Sequence, residues 1–316
     1  MDILENISED LNIPIDVLES QIIEGARHVK IIKIPKRSGG VRLVFVPPKI
    51  YKIFQYYIIG NYLDVIKRSA AASAFWKGCS ILKNAQRHRE RIYLVRIDIS
   101  DFFHSITFND FVQSLNVEEE RGLFDIFMNE DSARIIRKTC FSRDGHLCVG
   151  YPISPFAADI AMRHIDEEIF SYLNTRFKGK KYSYSRYADD LVIGFDEKCG
   201  AEVVAAITKI VEGREWPRLS VNHSKTRFFN RNVGNAIVTG VRICQDGRLT
   251  LPKQFKDDLR FNLSLLEKGR LGKEAFSSLE GALNHCRDIA PEFYTKLQSR
   301  YFKSIEGLIK RDRNDP

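Results

Sequence analysis

The chain has 316 residues, 44% of them apolar and 28% charged, the proportions of an ordinary globular protein long enough to bury two or three packed units. No apolar run approaches the roughly 20 residues of a membrane helix, and the N-terminus MDILENISEDLN carries acids where a secretion signal carries a basic region, so a cytoplasmic protein with no membrane partner is expected. Six cysteines at positions 79, 140, 148, 199, 244 and 286 form no CxxC pair and no short Cys/His ligand spacing, which argues against a zinc module or disulfide framework and predicts buried, reduced thiols.

In chain order, residues 2 to 24 read as two short helices broken at Asn12 and Pro14, either an extension packed on the main body or a helix-turn-helix. From Val29 to Pro48 the pattern turns strand-like, with KIIKIP and VRLVFVP flanking SGG as a β-hairpin. The net charge of +8 concentrates here: between Arg27 and Lys52 stand eight Lys or Arg and no acid. A second cluster, from Lys77 to Arg91, sets five basic residues against Glu90. Such clustering suits a phosphate-rich partner, or a merely solvated basic face.

RIYLVRIDI, residues 91 to 99, alternates as a strand that puts Tyr93, Val95, Ile97 and Ile99 on one face and Asp98 on the other. Residues 155 to 175 read as one helix with Ser154 as cap, Pro155 in the first turn and Ile160, Ile165, Ile169 and Leu173 as its apolar stripe. SYSRYADDLVIGF, residues 183 to 195, is a strand-turn-strand, and a helix follows over 200 to 212. This order implies an α+β layer with helices on one face of an antiparallel sheet. After Pro252 the chain is helical, with stripes Phe255–Leu266, Phe276–Cys286 and Leu297–Leu308, the last opened by Pro291.

Asp189 and Asp190 can share one site only at a turn, because neighbours in a strand face opposite ways. The pair is either a solvated turn or a cation site, with Asp98 on a second strand as third ligand. Three carboxylates holding two Mg²⁺ ions are usual equipment for in-line phosphoryl transfer.

Tyr187-Ala188-Asp189-Asp190 resembles the metal-binding motif of reverse transcriptases, and a given tetrapeptide arises by chance in such a chain only roughly once in 500. RIDISDFFHSI around Asp98, GYPISPFAADIAM from Gly150 and SVNHSKTRFF around Lys225 resemble that family in the same order. Asn84-Ala85-Gln86-Arg87-His88 and Val238-Thr239-Gly240 look like the NAxxH and VTG elements of bacterial retron reverse transcriptases, and the likeness covers about residues 30 to 285.

The resemblance implies an α+β right-hand polymerase architecture: an N-terminal helical extension (1–28), fingers (29–91), a palm of antiparallel sheet backed by helices (92–250) with an inserted fingers segment (about 107–149), and a helical thumb (251–316). It implies Asp98, Asp189 and Asp190 as ligands of two Mg²⁺ ions and Lys225 as the proton donor to departing pyrophosphate. Arg42 with Lys36 or Arg37 would clamp the dNTP triphosphate, where a guanidinium suits paired oxygens. Phe103 would be the steric gate under the sugar, or else core like Phe102, and Gly150 and Pro152 would line the nucleotide site. Asn84, His88, Val238, Thr239 and Gly240 would bind nucleic acid. The implied activity is RNA-directed DNA synthesis from a 2′-hydroxyl in a cognate noncoding RNA, giving branched RNA-linked single-stranded DNA (msDNA), in anti-phage defence with a separate effector protein.

Val149 stands where the family usually has Gln, and Asp159 where Asn is common. Valine has no polar side-chain atom, so nucleotide contact is expected to use backbone groups of Gly150 to Ile153. Two rival readings are a template-independent defence-associated DNA polymerase and a catalytically silent nucleic-acid-binding scaffold.

Overall fold

Asp2 caps the first helix, α1 (Ile3–Leu11), in a reciprocal capping box with Glu5. The second, α2 (Ile15–Gly25), starts after Pro14. In the computed structural model, which describes residues 2–35, 39–115 and 121–312, Ile3, Leu4, Ile7, Leu18 and Ile22 bury into the main core. The pair is thus an integral extension of the body rather than a free-standing helix-turn-helix.

The hairpin β1 (Lys30–Pro35) and β2 (Val41–Val46) pairs Lys30 with Val46 through Pro35 with Val41. Its residues Ile31, Ile32, Ile34, Val41 and Leu43 remain exposed, while Phe45 near its base packs against the main core. Helix α3 (Lys49–Ile58) returns to the core through Tyr51, Phe54 and Ile58. A short helix, α4 (Ile81–Gln86), is capped by Ser80 and leads into β3 (Tyr93–Asp98). Helices α5 (Phe108–Gln113), α6 (Arg121–Met128) and α7 (Glu130–Cys140) follow, α1 docking on α7.

The expected helix over 155–175 is two: α8 (Ser154–Ala161) and α9 (Arg163–Arg176), separated at buried Met162. No glycine or internal proline marks that break. Ser154 is no cap either, because its hydroxyl accepts from the Cys148 N–H at 3.2 Å. Strands β4 (Tyr182–Tyr187) and β5 (Asp190–Phe195) precede α10 (Gly200–Glu212), and β6 (Arg227–Asn230) completes an antiparallel sheet of order β4-β5-β3-β6.

A second sheet, β7 (Ala236–Val238), β8 (Val241–Ile243) and β9 (Leu249–Thr250), packs on α4. It leads to α11 (Lys253–Glu267), α12 (Phe276–Ile289), α13 (Pro291–Arg300) and α14 (Phe302–Asp312). The stripe from Leu297 to Leu308 is continuous in burial although its helix breaks at Tyr301.

Helices were expected on one face of the main sheet, but both faces are covered. Val95, Ile97, Leu191, Ile193 and Phe195 enter the main core, while Leu94 and Val192 enter a second core with the C-terminal helices and β7–β9. All six cysteines are free, as expected, but only Cys140, Cys148 and Cys286 are buried.

Candidate active site

Tyr187 pairs with Asp190, so Ala188 and Asp189 form the two-residue turn between β4 and β5, with Ala188 at φ 55°. Asp190 pairs across β5 and β3 with Asp98, and the Ile99 N–H donates to the Asp189 carbonyl at 3.0 Å. Register and turn therefore bring all three carboxyl-bearing residues to one end of the sheet. Asp98 is the most enclosed, at 7% exposed. Lys225, in a single 3₁₀ turn, donates to both its oxygens at 2.9 and 3.1 Å.

Burial pushes the Asp189 carboxyl above its ordinary value, with repulsion from Asp98 adding and Lys225 and Arg42 opposing. Asp190 is pushed up to about 6 by burial and by both neighbouring carboxylates, against the pull of Arg96. Arg96, whose Nε lies 3.9 Å from Asp190, was not singled out from the sequence. The signal was available, because a residue two before Asp98 in a strand shares its face.

Arg42 is exposed on β2 within electrostatic reach of Asp189; Lys36 and Arg37 lie outside the described residues. Gly150 has φ 102°, and a Cβ there would come within 2.4 Å of the Phe45 carbonyl oxygen. The Phe45 N–H donates to the Val149 carbonyl at 2.7 Å, so this segment seats the β1–β2 hairpin. The expectation of broad backbone contact from Gly150 to Ile153 narrows, because the Tyr151 and Ile153 N–H groups already have partners and Pro152 has none to offer. Among the described residues, the Gly150 N–H and the Gly150 and Pro152 carbonyls remain without an internal partner.

Phe103 is half-buried, edge-on to buried Phe102 at 5.3 Å. Its other ring neighbour, Phe75, went unnoticed in the sequence and also approaches Tyr187, both at 6.4 Å between centroids. Behind the turn, fully buried Arg186 pairs with Asp159 and Asp166, each at 2.8 Å. The departure at position 159 is thus structural: Asp159 also accepts from the Trp76 indole at 2.6 Å.

Three of the residues expected to bind nucleic acid around α4 and β7, Asn84, His88 and Val238, are buried. Asn84 donates to the Thr239 hydroxyl at 3.4 Å, and His88 bonds Ser183 and Ser185 of β4 at 2.8 and 2.6 Å. Thr239 and Gly240, at φ 45° and 83°, make the tight β7–β8 turn and keep some exposure. These elements lock the second sheet to the first.

A cavity of about 1550 Å³ opens between the β1–β2 hairpin and α5–α7, with Tyr151 and His104 in its lining. Arg27, Lys138 and Arg143 line it without a side-chain partner among the described residues.

Residues 34–254 match the reverse transcriptase (RNA-dependent DNA polymerase) family. The chain is 33% identical over 291 residues to the Retron Ec73 reverse transcriptase of Escherichia coli, covering 92% of each. It is 30% identical over 298 residues to the Retron Ec83 reverse transcriptase of the same species, covering 90% of this chain and 91% of that one. Apo telomerase from Candida tropicalis superposes with TM-score 0.54 at 15% identity over 87% of this chain, and telomerase from Candida albicans bound to a telomeric RNA fragment with TM-score 0.52 at 14% over 88%. The chain spans 58% and 56% of those telomerase chains, and at such identity the likeness shows the fold alone. The chain therefore belongs to the reverse transcriptases, and among them to the retron type. It is an RNA-directed DNA polymerase with the α+β right-hand fold.

Proposed function

We propose that the protein copies part of a structured noncoding RNA into msDNA by two-metal phosphoryl transfer, with Asp98, Asp189 and Asp190 as the metal ligands, in anti-phage defence alongside a separate effector. The observation that carries the chemistry is the register that brings these carboxylates to one sheet end with one ammonium directly bound. The set fits divalent magnesium. Its donors are hard oxygens, and the upward push on Asp189 and Asp190, due first to burial and then to repulsion among the carboxylates, is one that a bound cation would relieve.

Among the described residues no three His, Cys, Asp or Glu side chains already form a metal-holding group, and Asp98 is engaged by Lys225. For Asp98 to serve as a ligand, it must be released by that ammonium. Bound magnesium supplies activation of the primer hydroxyl and neutralises charge developing on the transferred phosphate. Lys225, half-exposed and freed from Asp98, then has a proton to offer the leaving pyrophosphate. Arg42 can pair with triphosphate oxygens, and Phe103 can lie under the sugar. The basic window over 27–52 and the cavity beside Tyr151 favour a phosphate-rich strand. The division into extension, fingers, palm and thumb belongs to the same proposal.

Sequencing DNA from cells that carry the gene with its flanking locus tests this reading. One fixed region, copied from an RNA and joined to it, is expected, and an Asp189→Asn, Asp190→Asn variant should make none. Products of unconstrained sequence would point to template-independent synthesis, and normal product from the double variant would remove these carboxylates from the mechanism.

A further inference from the structure

Among residues 71 to 76, Phe75 alone is exposed, at 39%. Its φ is 66°, a left-handed conformation that a bulky side chain adopts only where the surroundings over-determine it. The constraints lie on both sides. Upstream, Arg186 of β4 donates its N–H to the Ala71 carbonyl at 2.8 Å, and the Ser73 N–H donates to the Arg186 carbonyl at 2.9 Å. Downstream, Trp76 is held by the Asp159 carboxylate at 2.6 Å, by the edge of Phe156 at 4.8 Å and by the Arg68 guanidinium over its face at 4.3 Å. Asp159 and Arg186 are themselves paired, so both anchors belong to one buried ion network.

What this clamp achieves is the placement of one ring. Phe75 stands between Phe103, which follows Asp98, and Tyr187, which precedes the Ala188–Asp189 turn. Phe103 has two ring neighbours, buried Phe102 at 5.3 Å and Phe75 at 6.4 Å between centroids. Taking the Phe75 ring away leaves Phe103 free to tilt into the vacated space, because a side chain is held in one rotamer by its packing neighbours.

We propose that Phe75 is a positioning residue that sets the preference for deoxyribonucleotides over ribonucleotides by holding the ring of Phe103. The inference rests on the reading of Phe103 as the gate beneath the sugar. In that arrangement a ribonucleotide 2′-hydroxyl meets the Phe103 ring, and discrimination depends on how little that ring can yield. Phe75 acts through Phe103 and touches no substrate.

The test is single-nucleotide incorporation of dATP against ATP on a defined RNA template with a DNA primer, read as the ratio of the two kcat/KM values. Phe75→Ala is expected to lower that ratio about tenfold, and Phe75→Tyr, which keeps the ring, to hold it within about twofold of the unmodified protein. Phe75→Gly accepts a φ of 66° without strain and lacks the ring, so it should lose as much selectivity as Phe75→Ala. It also serves if the alanine variant folds poorly. A loss of selectivity in Phe103→Ala with none in Phe75→Ala and Phe75→Gly overturns the proposal and leaves the gate intact. An unchanged ratio in Phe103→Ala removes the gate, and the proposal with it. An equal loss in Phe75→Tyr would show that something other than the ring matters and would also overturn it.

Discussion

His88 shows how much a buried ionisable side chain can weigh. Burial, with the Arg87 guanidinium adding to it, pushes its imidazole from the ordinary 6.5 down to about 3. The folded protein therefore holds His88 neutral between Ser183 and Ser185, whose hydroxyls can each donate or accept. Between pH 6.5 and 3 the unfolded chain binds one proton more at this residue, so its contribution to stability is complete above 6.5 and is lost as pH falls. The slope is at most about 1.4 kcal/mol per pH unit. Urea midpoints from pH 7.5 to 4.5 should fall more steeply for the unmodified protein than for His88→Gln, and parallel curves would show that another group dominates. The same residue shows where motif reading stops. Its match to NAxxH was legible, yet burial between α4 and β4 is a tertiary fact that no spacing carries. The carboxylates were legible because two adjacent like charges inside an apolar alternation need a turn and a cation to make sense. Phe75 was not, since a positive φ on phenylalanine comes from anchors at Arg186 and Asp159, far away in sequence.

At the scale of elements, strands and helices with strong periodicity fell where the pattern put them; α10 and the β4–β5 hairpin are examples. The break at Met162 was invisible because its neighbours keep the helical stripe on both sides. The role of Gly150 was only half legible. Its motif suggested a nucleotide contact, whereas the structure adds the seating of the β1–β2 hairpin against Phe45. That contact makes Gly150→Ala informative. The new Cβ would meet a backbone oxygen at 2.4 Å, which cannot rotate away, so the hairpin carrying Arg42 must shift. Strain at a φ of 102° adds a cost of about 1–3 kcal/mol. Primer extension with limiting dNTP should show kcat/KM reduced about tenfold or more. Val149→Gln leaves the backbone alone and should spare extension, because the bond of Val149 to Phe45 uses its carbonyl. Loss of extension in that variant would place the missing function in the side chain instead.

For the whole molecule, the main sheet joins two cores that would otherwise be separate. Val95 and Ile97 of β3 face one, Leu94 faces the other, and β5 divides likewise between Leu191, Ile193 and Val192. The run Leu191-Val192-Ile193 was a signal for this, since a strand buried on both faces reads as continuously apolar, but it lay inside a motif whose charges drew the reading. Sharing a sheet means that the C-terminal helices and the N-terminal body should unfold together. Leu94→Ala tests the coupling. It removes a side chain that is 1% exposed at the junction and should lower stability by about 2–5 kcal/mol. Tryptophan fluorescence reports Trp76 and Trp216, both outside the C-terminal helices, whereas far-UV circular dichroism also sees α11–α14. If the sheet couples the cores, Leu94→Ala moves both thermal transitions down together, as one cooperative unit requires. Were the cores independent, part of the helical signal would melt early while the tryptophan transition stayed in place, and the C-terminal helices would then be a unit that moves against the rest of the chain on its own.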